Sequence, residues 1–166
     1  MGGRVWVTAG WAFYVVVVMV AMSYAIGAVA RAGLLVVAAA PLGVVLVLAL
    51  CRLPGRTELA AWSAVTVGIL APTYLAGGGV EYAASGVVVA LALLGVFRSP
   101  WFLVAAWVLH PVWDVVVPRH LEPPLTDLPT ACVLYDLLVA GYLAYRARRG
   151  GFAKGARSPE EAGTRG

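Results

Sequence analysis

The sequence predicts an all-α fold: a polytopic membrane bundle of six transmembrane helices with both termini on the cytoplasmic side. Three observations carry that reading. Hydrophobic residues make up 62% of the chain and charged ones 12%, with a mean hydropathy of +0.90, whereas soluble domains carry about a quarter charged residues. Six uncharged or nearly uncharged stretches follow one another, and roughly 20 apolar helical residues cross about 30 Å of hydrocarbon. The basic residues, finally, are divided unevenly between alternate loops.

The stretches run from 5 to 30, 32 to 51, 59 to 80, 82 to 97, 101 to 117 and 128 to 145. The first follows Arg4 and ends in Ala28-Val29-Ala30, a small-x-small pattern like that of a leader peptide. Its apolar run is far longer than the 7–15 residues of a leader core, so it reads as a retained span. The second lies between Arg31 and Arg52 and contains Pro41. The third starts at Thr57-Glu58, which can cap it and place an acid at the favourable end of the dipole. Gly77-Gly78-Gly79 makes a tight turn into the fourth, with Glu81 at its interface. Ser99-Pro100 reads as an N-cap with proline at the first helical position of the fifth. Pro118, Pro123, Pro124 and Pro129 stiffen the next loop, and Asp127 can cap the sixth. Unbroken runs without period-2 alternation exclude an outer-membrane barrel.

The helical domain thus covers residues 1–145, followed by a basic, Gly-rich tail, 146–166, without apolar period, which reads as disordered. The tail holds six Lys/Arg and two Glu, while the remainder has six of each sign. Such a charge suits the anionic cytoplasmic leaflet of a bilayer, and no nucleic-acid partner is expected. Ten of the twelve basic residues fall at the termini and in the loops around Arg52–Arg56 and Arg98, leaving only Arg31 and Arg119 opposite. This bias puts both ends inside. Rich in Ala, Val, Gly and Arg with one lysine, the composition suggests a GC-rich bacterial genome and a multi-pass plasma-membrane protein. Cys51 and Cys132 fall at opposite membrane faces and should not pair.

A charge inside a bilayer is by default a functional hypothesis. His110 and Asp114 share a helix face at i, i+4, and Asp136 is followed by Ala140 and Ala144 at the same spacing, which marks a helix-packing face. These three are the candidate catalytic residues. Ser23, Tyr24, Thr73, Tyr74, Glu81, Tyr82 and Ser85 fall at a similar depth in the outer half. The cytoplasmic half is nearly all apolar apart from Ser63 and Thr66. Tyr24, Tyr74, Glu81, Tyr82, Trp107, Trp113 and Tyr135 are therefore the expected substrate-binding residues of an outer-leaflet pocket, roofed by the loop bearing His120 and Glu122. Trp6, Trp62 and Trp101 read as an interfacial aromatic belt. The only lysine, Lys154, lies in the tail, which excludes a Walker loop and a Schiff base within the bundle. His110, Asp114, Asp136 and His120 offer too few histidines to assign a metal, and no cofactor is expected.

The segment His110-Pro-Val-Trp-Asp114, the proline-rich loop and Tyr135-Asp136 together resemble a group of small, uncharacterised six-helix bacterial integral membrane proteins. The likeness covers the last two helices, implying fold and membrane location but no activity. Where those proteins are richer in histidine, this loop has Arg119-His120.

An acid–base isomerase or cyclase acting on a lipophilic, isoprenoid-type substrate fits these residues: Asp136 donates a proton and Asp114 orients His110 as base. Tryptophan faces would then stabilise a developing cation. A proton-coupled carrier is the first alternative, since Pro41 and Pro111 occupy corresponding places in two halves. A non-catalytic membrane subunit is the second. A homodimer is the expected assembly for so small a carrier.

Overall fold

The computed structural model describes residues 2–75, 79–117 and 123–153, with side chains from Thr8 onward. The side chains of Arg4 and Trp6, the first two glycines of the expected turn, the loop residues Pro118, Arg119, His120 and Glu122, and the tail from Lys154 lie outside the described residues.

Those residues form six helical segments in chain order and contain no strand: α1 (Gly2–Arg31), α2 (Leu35–Leu50), α3 (Gly55–Val65 with its continuation to Tyr74), α4 (Val80–Phe97), α5 (Pro100–Val116) and α6 (Leu128–Arg148). Four are long and apolar enough to cross a membrane, namely Thr8–Arg31, Gly55–Leu75, Val80–Phe97 and Leu128–Arg148, as suits a membrane protein. Helices α2 and α5 are equally apolar but shorter.

Local chemistry explains most boundaries. Gly33 adopts φ +68°, a left-handed conformation that glycine takes without strain, and so ends α1. Ser99 caps α5 as expected, its hydroxyl accepting from the Trp101 amide at 3.4 Å, with Pro100 at the first position. Two expected caps are not made. Asp127 occupies the N-cap position of α6 without a side-chain cap bond, and α3 begins two residues before Thr57, with Pro54 at its N-cap. Glu58 still lies in the first turn of α3 but turns inward and is wholly buried.

Pro41 and Pro111 sit inside α2 and α5 without ending either helix. The interruption falls in α3 instead, where a π-helical turn over Thr66–Leu70 passes into a 3-10 turn over Ala71–Tyr74. Pro72 supplies a reason. It has no amide to donate and its ring crowds the carbonyl four residues back, so the preceding turn widens.

Helix α6 is the axis of the bundle, packing most extensively on α5 and next on α2. Its contact face carries Ala131, Asp136, Val139, Ala140 and Leu143, all buried, small or branched residues that let backbones approach closely. Helices α4 and α5 also meet closely, since a Cβ on Gly95 would stand 2.9 Å from the Leu103 Cβ. By contrast α1 is only 11% buried along its span, against 56% for α3. Trp62, expected at an interface, is fully buried in the core between Trp107 and Tyr142.

Helix α6 also runs past residue 145, to Arg148, and Phe152 beyond it is buried. The start of the expected tail is thus packed. A Cβ on Gly55 would come within 2.7 Å of the Gly151 carbonyl, so this segment lies directly over the start of α3.

Candidate functional site

The apolar register of α5 and α6 turns three ionisable side chains toward their common seam. His110 is fully buried, Asp136 nearly so, and Asp114 is 8% exposed. His110 Nδ1 stands 2.6 Å from Asp136 Oδ2 and 3.8 Å from Asp114 Oδ2. Asp136, on the neighbouring helix, is therefore the acid that holds the ring, a role the i, i+4 spacing assigned to Asp114.

The other ring nitrogen fixes the tautomer. The Thr73 hydroxyl is 2.7 Å from the Leu70 carbonyl, to which only it can donate, and 3.0 Å from His110 Nε2. With its one hydrogen committed, it accepts from His110, so Nε2 carries a proton. Nδ1 and Asp136 then share the remaining proton in a charge-assisted bond of 2.6 Å, shorter than the roughly 2.7–2.9 Å usual for nitrogen-to-oxygen bonds of that class. The 3-10 turn of α3 is what delivers Thr73 to this place.

Aromatic rings close the rest. Tyr74 lies edge-on to His110, with centroids 5.0 Å apart, and Trp113 stands beyond Tyr74 at 6.2 Å. The Trp107 indole donates to the Thr66 hydroxyl at 2.9 Å, and Thr66 in turn donates to the Trp62 carbonyl at 2.8 Å. Tyr135 packs against Trp107 at 5.9 Å. Among the described residues its hydroxyl is buried without a hydrogen-bond partner.

Beside this cluster is a cavity of about 410 Å³. Its walls come from α1 (Ser23, Ile26), α2 (Leu35, Ala39, Leu42), the broken part of α3 (Gly68 to Leu70, Pro72 and Thr73), Trp107 of α5, and α6. The lining is mostly aliphatic; its polar end is formed by Thr73, Cys132, Tyr135 and Asp136. Mainly apolar walls with a few converging polar groups are the usual makeup of a small-molecule site.

Of the expected substrate-binding residues, Trp107 and Tyr135 line this cavity, while Tyr74 packs on the imidazole and Trp113 on Tyr74. Glu81 is buried in the first turn of α4 and does not line the cavity. Tyr24 and Tyr82 are 74% and 58% exposed, on the outside of the bundle. The roof expected from His120 and Glu122 falls outside the described residues.

A second buried cluster was not legible as a site. The Glu58 carboxylate accepts from the Tyr142 hydroxyl and from the Arg146 guanidinium, which also donates to the Gly151 carbonyl at 3.2 Å. Glu58 looks in sequence like a cap and Arg146 like the first tail residue. Only the meeting of α3 with α6 pairs them. A third omission is Cys132, whose sulfur lies within 4.8 Å of ligand atoms of His110 and Asp114. Both cysteines are free of disulfide.

The model of a family of unknown function, DUF6010, matches residues 34–149, from the start of α2 through α6. No curated protein and no solved structure gives a significant match. The matched stretch contains the whole cluster around His110 and all of the cavity except the wall supplied by α1.

Proposed function

The chain belongs to the DUF6010 family of unknown function, and we propose that it acts on a lipophilic small molecule within the membrane. His110 and Asp136 move the proton in this reading. The observation that carries it is the cavity: aliphatic over most of its surface, it ends on Asp136, hydrogen-bonded at 2.6 Å to His110. An apolar substrate with one polar or unsaturated end would meet the acid at that end and, apart from Ser23, mostly aliphatic walls elsewhere. Asp136 delivers or removes the proton, His110 holds its partner state, and the Tyr135 hydroxyl supplies an orienting hydrogen bond. Trp107 in the wall offers a ring face to positive charge developing on carbon. An isomerisation or cyclisation of isoprenoid type needs no more than this. All six helices span the plasma membrane of a bacterium in this reading, with both termini in the cytoplasm beside anionic lipid.

The test is native mass spectrometry of the full chain released from mild detergent. Wild type should carry a discrete lipophilic adduct. Ala39→Phe, which fills the cavity without touching the imidazole, should lose it, whereas Asp136→Asn should keep the adduct and lose turnover. A bare wild-type chain would overturn the reading.

One observation favours a second reading. Helix α1 exposes Phe13, Val16, Val17 and Val20 along one length, the surface a non-catalytic subunit would lay against a partner. A second copy of this chain would use the same face. A stoichiometric protein partner, with no small-molecule adduct, would support it.

A further inference from the structure

The seam between α5 and α6 carries two i, i+4 pairs that face each other: His110 with Asp114, and Cys132 with Asp136. Each member is a metal-ligating residue type. One ligand atom each from His110, Asp114 and Cys132 lies within 4.8 Å of the others, and Asp136 Oδ2 touches the same imidazole nitrogen. We infer that His110, Asp114 and Cys132, with Asp136 beside them, bind a transition-metal dication of the zinc class.

The tautomer argument supplies the ligand atom. Because Thr73 accepts the Nε2 proton, the Nδ1 lone pair is the one that can point at an ion. This is the arrangement in which an outer hydrogen bond fixes a ligating histidine. Tetrahedral ligands at about 2.0–2.3 Å from zinc stand roughly 3.3–3.8 Å apart. His110 Nδ1 and Asp114 Oδ2 are already 3.8 Å apart, so the cation would replace the proton that Nδ1 now shares with Asp136. A mixed nitrogen, sulfur and oxygen set selects zinc and its neighbours over magnesium or calcium, which prefer oxygen alone. A dication also brings the charge needed to hold a thiolate and carboxylates together in a medium of low dielectric.

The site is reachable, since Cys132 and Asp136 both line the cavity. A bound ion would polarise whatever sits there. The inference thus rests on the same cavity as the proposed function and deepens it: in the ion-bound form a Lewis acid takes the place of the proton on His110 Nδ1, leaving Asp136 alone to carry the proton.

The test uses the full chain in mild detergent, stripped with chelator and titrated with cobalt(II) chloride. The expected result is one cobalt per chain, with tetrahedral d–d bands and a thiolate-to-cobalt charge-transfer band. Cys132→Ser should lose the charge-transfer band, Asp114→Asn should bind at least about 10-fold more weakly, and Cys51→Ser should change nothing. A measurement that leaves the site intact stands beside these: in the Cys51→Ser protein, cobalt should protect Cys132 from maleimide. No saturable binding at one ion per chain would overturn the inference, as would an unprotected Cys132 or an unchanged spectrum in Cys132→Ser. A lipophilic adduct on a protein that binds no cobalt removes this inference alone. Cobalt binding by a protein without an adduct removes the ligand reading alone.

Discussion

His110 makes its short hydrogen bond with Asp136, on the neighbouring helix, at 2.6 Å, while Asp114, one turn along its own helix, stands 3.8 Å away. The ring therefore ties α5 to α6 instead of bracing one helix internally. Its far side is fastened to the broken part of α3 through Thr73 at 3.0 Å. Three helices meet at one imidazole.

Removing the inter-helix acid should therefore cost more than removing the intra-helix one. Asp136→Ala leaves a buried imidazole without its partner and should destabilise by about 3–5 kcal/mol. Asp114→Ala should lose less. Thermal unfolding in detergent orders the two, and equal losses would contradict the assignment. Thr73→Val should release the Nε2 tautomer, visible in the side-chain nitrogen shifts of labelled His110, whereas Thr73→Ser should preserve it.

The Glu58 cluster should behave as a coupled pair. Glu58→Ala strands Arg146 and Tyr142 together. Because Arg146 is partly exposed, the expected loss is about 2–3 kcal/mol, below the roughly 3–5 of a fully buried pair. A double-mutant cycle of Glu58→Leu with Arg146→Met should recover the part of that loss due to the stranded guanidinium, the Tyr142 hydroxyl still lacking its acceptor. Additive losses would show that the two are independent.

Two helical glycines with close neighbours should differ sharply. An alanine at 95 would place its Cβ 2.9 Å from the Leu103 Cβ and 3.3 Å from its amide nitrogen, both fixed by α5, and should destabilise by about 1–3 kcal/mol. At Gly68 the near atom is the terminal methyl of Met19, which can swing aside. Gly68→Ala should be nearly neutral. Comparison of the two unfolding temperatures checks this.

The orientation can be read from a native thiol. Cys51 is exposed at the end of α2, and the proposed orientation, with both termini cytoplasmic, turns it toward the cytoplasm. A membrane-impermeant maleimide should leave it unlabelled in intact cells and label it in inverted vesicles, in a Cys132→Ala background. Labelling in intact cells would invert the orientation.

Helix number and extent were legible because charge and proline punctuate the apolar runs, and α4 and α5 fall within two residues of their expected bounds. The His–Asp face was legible because i, i+4 spacing on a helix is geometry. Position along a helix could be read in this way; direction around it could not. Helices α1 and α6 are apolar on nearly every side, so no stripe tells which residues face inward. Tyr24 and Tyr82, expected to face a pocket, point outward, while Tyr74 points in. Glu58 with Arg146, and Cys132 with Asp114, belong to different helices, and only the packing of those helices brings them together.

Helices α2 and α5 have 16 and 17 residues, which at 1.5 Å each reach about 24–26 Å, short of a hydrocarbon slab of roughly 30 Å. One walls the cavity and the other bears His110. With both crossing the bilayer, as the proposed six-span arrangement has it, the membrane around them would pinch inward by several ångströms or load strain onto those two elements. Acyl-chain length then becomes a control on the imidazole seam: short-chain lipids relax it, and long-chain, sterol-like thickness compresses it. The host membrane's thickness would tune this protein without any ligand at all.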